Sequence, residues 1–303
     1  MNEANRSLGR PVIVGEALFD RFPEGVEVLG GAPFNVAWHL HGFGAAPKLI
    51  SRIGDDEAGQ RVREAMMGWG MDISGLEIDP THSTGAVDIS FAGGQHTFDI
   101  LPDQAYDHIS EEQLSSVDET EVALFYQGTL IMRSQYQREI LTEFVHRSGT
   151  PLFVDLNLRD PWWRPEDLPQ LLHKATWLKV NETELQILIE QSNFSGSLQE
   201  AARQIQRAYR IELLILTLGA DGAMAFSRRC EKIKVTPELT GSVVDTVGAG
   251  DAFASVALLG LLRNWPLETI MQRAQQFASR IVQQRGATRA DRELYRQLLQ
   301  RWV

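Results

Sequence analysis

The chain has 303 residues, of which 43% are hydrophobic and 23% charged, and a formal net charge of -11. Such proportions describe a soluble globular chain with a substantial core, and the acidic balance disfavours broad binding to nucleic acid or anionic membranes. The lone cysteine, Cys230, excludes an intrachain disulfide and a cysteine-cluster zinc site; a polar N-terminus without a signal-peptide core, and no apolar run long enough for a bilayer, point to the cytoplasm.

Val12-Ile-Val-Gly15 reads as a short strand and turn, with 32–41 as a helix packed on it. Leu49, Ile50 and Ile53 mark a second strand, and 57–69 a second helix. The pattern then changes. Residues 84–101 are alternating and β-prone around Gly93-Gly94, a hairpin signal, and 21–29 can pair with them as a small separate sheet. From Val122 strands and helices alternate: strands at 122–126, 152–155, 177–180 and 213–217, helices at 134–146, near 165–175, at 182–191 and at 198–209. A second hairpin is expected from 223–226 and 231–235, then helices at 250–263, 267–285 and 290–302. Repeated strand–helix alternation predicts βαβ units and a mostly parallel sheet with helices on both faces. His39 and His41, two apart on a helix, cannot share a face for a metal and are read as structural.

The segment Asp245-Thr-Val-Gly-Ala-Gly-Asp251-Ala-Phe253 is the most informative. It runs directly into an apolar helix, so Gly248-Ala249-Gly250 stands at a helix N-terminus. Glycine admits positive φ and close approach of a ligand, and free N–H groups there suit a phosphate. A carboxylate beside an anion site repels the anion, unless Asp251 takes a proton from a nucleophile attacking that phosphate. The same nine residues also read as a plain turn and helix cap, and on their own they leave both readings open. There is no Gly-x4-Gly-Lys-Ser/Thr loop, no Gly-x-Ser-x-Gly elbow and no His-Glu-x-x-His.

This segment resembles the C-terminal signature of the PfkB, or ribokinase-like, carbohydrate kinase family. Gly30-Gly-Ala-Pro-Phe-Asn-Val-Ala37 with 53–59 resembles its N-terminal signature. Val154-Asp-Leu-Asn-Leu-Arg159, Asn181-Glu-Thr-Glu184 and Thr217-Leu-Gly-Ala-Asp-Gly-Ala223 follow in the family's order. The resemblance runs from about Val12 to about Ala287. It implies a ribokinase-like three-layer αβα sandwich with a mostly parallel central sheet, a single kinase domain over 1–303, and a small β lid from strands near 21–29 and 84–101.

The resemblance also implies roles. Asp251 would be the general base, and the Gly248, Ala249 and Gly250 amides would bind the transferring phosphoryl group. Asp20, Gly30, Gly31 and Asn35 would bind the sugar; without the resemblance, Asn35 is a helix-face polar group and Gly30-Gly31 a turn. Asn181 and Glu184 would hold Mg2+ through waters, although Asn181-Glu-Thr-Glu184 is equally a good helix start. Arg159 would face phosphate or a substrate hydroxyl, or else pair with Asp160 or a surface carboxylate. Thr217, Gly219 and Gly222 would border the nucleotide, with Gly286 and Ala287 near its adenine. Phe98 either packs on the sugar or belongs to the hairpin core. Asp245 and Thr246 lie where related kinases bind a monovalent cation, which raises K+ activation.

Gly15-Glu-Ala-Leu-Phe-Asp20 and Trp162 are closer to fructokinases and 2-keto-3-deoxygluconate kinases than to ribokinase. Thr97-Phe98-Asp99-Ile100 lacks the cation that an acidic sugar would need, and also lacks the arginine fructokinases often carry after their phenylalanine. The expectation is ATP-dependent phosphorylation of a primary hydroxyl of a neutral sugar, most simply fructose. The alternatives are ketodeoxygluconate, a nucleoside or another sugar, and, in a different class, a non-catalytic sugar- or nucleotide-binding regulator. A homodimer built through the lid is a further expectation.

Overall fold

Short apolar runs bounded by turns become strands here, and 3.6-periodic runs become helices. In the computed structural model, which describes residues 9–92, 95–192, 194, 196–238 and 242–302, the first half of the chain holds β1 (Arg10–Val14), β2 (Leu18–Arg21), β3 (Glu27–Gly30), α1 (Ala32–Gly42), β4 (Lys48–Gly54), α2 (Glu57–Trp69), β5 (Leu76–Asp79), β6 (Gly85–Ala92), β7 (Gln95–Ile100), α3 (Glu111–Ser115), β8 (Val122–Gln127) and α4 (Gln135–Ser148). The second half holds β9 (Leu152–Asp155), α5 (Leu168–Lys174), β10 (Trp177–Asn181), α6 (Glu182–Glu190), α7 (Leu198–Ala208), β11 (Leu213–Thr217), β12 (Ala223–Ser227), β13 (Lys232–Val235), α8 (Ala249–Leu262), α9 (Leu267–Ile281) and α10 (Arg292–Arg301).

The larger sheet is nine-stranded, in the order β13-β12-β11-β10-β9-β8-β1-β4-β5. From β11 to β5 every pairing is parallel; β12 and β13 are antiparallel at one edge. Strand side chains alternate between two cores. Ile13, Leu49, Tyr126 and Ile215 face α1, α2, α8, α9 and α10. Val12, Val14, Ile50, Phe125 and Leu214 face α4 to α7. This is the expected αβα sandwich. Helix α8 is buried nearly all round, because it lies between the sheet and α9 and α1; each fully buried leucine contributes about 1.5–3 kcal/mol. Strand order reverses between β8 and β1, which makes the carboxyl end of that junction the natural place for a ligand.

The second sheet is four-stranded, in the order β3-β2-β6-β7. It is built from the strands expected near 21–29 and 84–101, with one shift. The lid segment read as 21–29 begins at Leu18, because Leu18–Arg21 pairs parallel with Gly85–Asp88 and antiparallel with Glu27–Gly30. Asp20 therefore lies within strand β2 of this smaller sheet and not in a loop after β1. The turn expected at Gly93-Gly94 lies outside the described residues. Helix α9 stops at Ile281 and not at Arg285, and α10 starts at Arg292, where the Asp291 carboxylate caps the Glu293 and Leu294 amides. Strand β5 was missed because Leu76-Glu-Ile-Asp79 is a half-exposed edge strand with little apolar signal. His39 is structural, as expected: it is buried, bonded to the Tyr295 hydroxyl at 2.8 Å, and held neutral by burial, with a pKa pushed down to about 3.

Candidate active site

Helix α8 begins at Gly248, whose φ of 78° is left-handed. A Cβ there would collide with Ala287, so both the turn and the close approach of residues 286–287 require glycine. The Asp245 carboxylate fastens the same two loops, accepting from the Val247 amide at 3.0 Å and the Gly286 amide at 3.1 Å. Among the described residues, the N–H groups of Gly248, Gly250 and Asp251 have no protein acceptor, as a helix start dictates. The Ala249 amide departs from expectation, since it donates to Thr246 O at 3.3 Å and closes the turn. Among the donors left for an anion, the Asp251 amide thus takes the place expected for Ala249.

Asp251 sits in the first turn of α8 with Oδ2 accepting from Asn35 Nδ2 at 2.8 Å. Asn35 is buried on α1, which starts at Gly31 (φ 101°). A Cβ on Gly31 would stand 2.6 Å from Glu16 O, so the strand–turn–helix crossing here requires glycine as well. The Asp20 carboxylate lies over Gly30, with Oδ2 3.7 Å from where a Cβ would be. Asp20, Gly30, Gly31, Asn35 and Asp251 are therefore brought to one place from β2, β3, α1 and α8, residues far apart in the chain.

The electrostatics are those of a crowded acidic pocket. Burial raises the Asp251 pKa above its ordinary value, opposed by the Asn35 hydrogen bond. Burial raises Asp20 to about 6, with Arg159 opposing and Asp251 reinforcing. Arg159, exposed beyond β9, makes no ion pair among the described residues, and Asp160 instead accepts from Trp163 Nε1 at 2.7 Å. Its charge acts on Glu16, Asp20 and Asp251 together.

The nucleotide side is more dispersed. Thr217 ends β11, and Gly219 (φ 54°) and Gly222 (φ 90°) shape the following turn. Gly222 is required, since a Cβ would strike Val235 O. Gly219 and Gly286 have open space around them. Asn181 and Glu184 form a capping box: Glu184 N donates to Asn181 Oδ1 at 2.9 Å, and Asn181 N to Glu184 Oε2 at 2.8 Å. Glu184 Oε1 accepts from Leu158 N at 3.0 Å, which ties α6 to the Asn157–Arg159 loop. The helix-start reading is realised in full. Phe98 lies on β7 opposite Ile89 and is 58% exposed, so it is not a hairpin core residue.

Sequence reasoning missed four polar groups. Lys179, buried on β10, bonds both oxygens of Asp155 at 2.8 and 2.9 Å, and its Nζ stands 3.4 Å from the Cβ position of Gly250. It forms the floor of the helix start. A lysine inside an apolar strand was the available signal, since a buried charge needs a partner. Glu16, 5% exposed, accepts from the Ala32 amide through Oε1, and among the described residues Oε2 has no well-aligned partner; burial raises it to about 7, opposed by a hydrogen bond from its own backbone. It stands in the Gly15–Asp20 segment and could have been found there. Tyr106 and Arg133 gave no local signal. Arg133 lies between the Tyr106 and Trp162 rings, 4.9 and 4.5 Å from their centroids, with Asp107 bound bidentately. The Tyr106 hydroxyl and Arg133 Nη1 are buried without a well-aligned hydrogen bond among the described residues; the guanidinium faces the hydroxyl, and the charge of Glu16 reaches both side chains.

The arrangement can bind a polyhydroxylated ligand among Asp20, Asn35 and Glu16, and place one hydroxyl between the Asp251 carboxylate and an electropositive helix start. Similarity to known proteins agrees with that chemistry. The chain is 28% identical over 272 residues to the aminoimidazole riboside kinase of Salmonella typhimurium, covering 85% of this chain and 82% of that protein. It is 27% identical over 267 residues to a fructokinase of the same species, covering 83% and 84%. The fold superposes on a fructokinase with bound ATP from Xylella fastidiosa with a TM-score of 0.85, at 21% identity and over 96% and 98% of the two chains. The sequence pattern of the pfkB family carbohydrate kinases matches residues 15–293, so the chain belongs to that family.

Proposed function

We propose that this family member transfers the γ-phosphoryl group of ATP to a primary hydroxyl of a neutral sugar, with fructose the first candidate. The observation that carries the proposal is the buried Asp251 carboxylate, held by Asn35 at 2.8 Å beside the free amides of an α8 start floored by Lys179. A carboxylate with a raised pKa is matched to accept a proton from an alcohol as it attacks. Amides fixed before the reaction stabilise charge on the phosphoryl oxygens without reorganising, which is the larger contribution. Asp20 and Asn35 orient the sugar from one side. Glu16 Oε2, the Tyr106 hydroxyl and Arg133 Nη1, buried without well-aligned hydrogen bonds among the described residues, offer further hydroxyl contacts, since buried polar atoms are stabilised when a ligand pairs them. The four-stranded sheet then acts as the lid, with the exposed Phe98 on it, and the whole chain is one kinase domain.

Mg2+ suits the hard oxygen donors of Glu184 and Asn181, and would neutralise phosphate charge. Both Glu184 oxygens already accept backbone amides, so Glu184 and Asn181 would act on the ion through water. Asp245 is likewise engaged by the Val247 and Gly286 amides, so K+ activation would work through the loop it fastens.

Comparable identity to an aminoimidazole riboside kinase favours a riboside as the second reading. An exposed aromatic ring on the lid suits a flat heterocycle as well as a sugar face. Coupled ADP release with Mg-ATP and K+ against fructose, ketodeoxygluconate, ribose, tagatose, adenosine, inosine and aminoimidazole riboside separates these. Turnover confined to a riboside would replace the fructose assignment. Asp251→Asn is expected to lower kcat about 100- to 10,000-fold while sugar still binds. Unchanged turnover would remove Asp251 as base and revive a non-catalytic binding role. A dimer through the lid belongs to the same proposal and is read by light scattering.

A further inference from the structure

Away from this pocket, the ends of the lid hairpin converge on a second group of chemistry-bearing side chains. His82 lies in the turn before β6, Asp103 follows β7, and His108 closes the 3-10 turn Ala105–His108. Their ligand atoms lie within 4.8 Å of one another. Asp103 Oδ1 is 2.8 Å from His108 Nε2 and 3.8 Å from His82 Nε2, and the two rings stack at 3.7 Å. We propose that His82, His108 and Asp103 form a site for a divalent transition-metal ion of the zinc class, which pins the root of the lid hairpin.

Three features favour that ligand. Two imidazoles and one carboxylate, with remaining positions open to water, match zinc-type donor chemistry and not the all-oxygen shell of Mg2+. His82 is already oriented as a ligand: its Nδ1 is 2.9 Å from Oδ2 of Asp79, a fully buried carboxylate also held by Arg52 Nε at 2.9 Å. A carboxylate behind a histidine fixes the tautomer and leaves Nε2 free to bind a metal. The three ligands also come from both sides of one hairpin, so an ion would tie residue 82 to residues 103 and 108.

The stacked rings, 14° apart, hold their Nε2 lone pairs side by side and not convergent. Binding therefore requires one ring to turn. Asp79 and Thr81 hold His82, so His108 is the ring that turns about its soft second side-chain torsion, exchanging its bond to Asp103 for the ion.

The test titrates tag-free, nucleotide-free protein carrying Cys230→Ser with Co2+ and Zn2+, because the exposed thiol of Cys230 could bind either ion. The expected result is one ion per chain with micromolar affinity, a visible Co2+ ligand-field band displaced by Zn2+, and shifts of the His82 and His108 ring signals in NMR spectra. Asp79→Asn should weaken binding about 10- to 100-fold, and His82→Ala or His108→Gln should weaken it further. Should Asp79→Asn fail to fold, His108→Gln, on the outer face of the cluster, carries the same test. Binding seen only at millimolar metal, or binding that survives both histidine substitutions, overturns the proposal.

Discussion

Glu16→Gln is expected to stabilise the folded protein, although it alters a buried residue that has a hydrogen bond. Glu16 is 5% exposed; its Oε1 accepts from Ala32 N at 3.3 Å, and its Oε2 has no well-aligned partner among the described residues. Burial lifts its pKa from 4.5 to about 7, with Asp251 adding repulsion. Between those values the folded chain retains a proton that the unfolded chain has lost. Stability is therefore greatest near and below the unfolded value and is lost as pH rises through the folded one. At about 1.4 kcal/mol per pH unit, the gap corresponds to about 3 kcal/mol of penalty in full force above neutrality. Glutamine keeps an oxygen for Ala32 and carries no charge, so the penalty disappears. Urea unfolding of both proteins across about pH 4.5–8.5 should give variant-minus-wild-type differences near zero at the acid end, growing to a few kcal/mol at the alkaline end. A difference that does not change with pH, or a variant less stable at high pH, would refute the reasoning. If Glu16 also meets the sugar, the stabilised variant should show a raised sugar KM, the usual exchange of stability for function at a site.

Lys179→Met leaves the buried Asp155 without its counter-ion, with the Tyr126 hydroxyl still donating to it at 3.3 Å, which should cost about 3–5 kcal/mol, and the double replacement with Asp155→Leu should recover most of that in denaturant unfolding. A double variant no more stable than the single one would show that the pair is not coupled. Gly248→Ala meets both a left-handed φ and Ala287, and should lose about 2–4 kcal/mol and most turnover; wild-type values of either would contradict the packing at the α8 start. The kcat/KM for sugar should fall as pH drops through about 6, where Asp20 takes up a proton and stops accepting sugar hydroxyls. A flat profile down to about pH 5 would separate Asp20 from sugar binding.

Much of this protein follows from local sequence. Alternating and apolar runs produce strands, because side-chain direction along a strand has period two, and Val12, Ile13 and Val14 do divide between the two cores. Gly248-Ala-Gly-Asp251 marks a helix start because only glycine tolerates its turn, and Asn181 and Glu184 cap α6 as local chemistry requires. The tertiary structure decided what long-range packing controls. It paired Leu18–Arg21 with Gly85–Asp88, which moved Asp20 into the four-stranded sheet, and it set Asn35 against Asp251 across 216 positions of chain. It spent the Ala249 amide on a turn and exposed Phe98. It also put Lys179 under Gly250 and left Glu16, Tyr106 and Arg133 with buried atoms that lack well-aligned partners among the described residues. The reason is physical: propensity and capping act over a few residues, whereas burial, charge pairing and desolvation depend on neighbours that only the folded chain supplies.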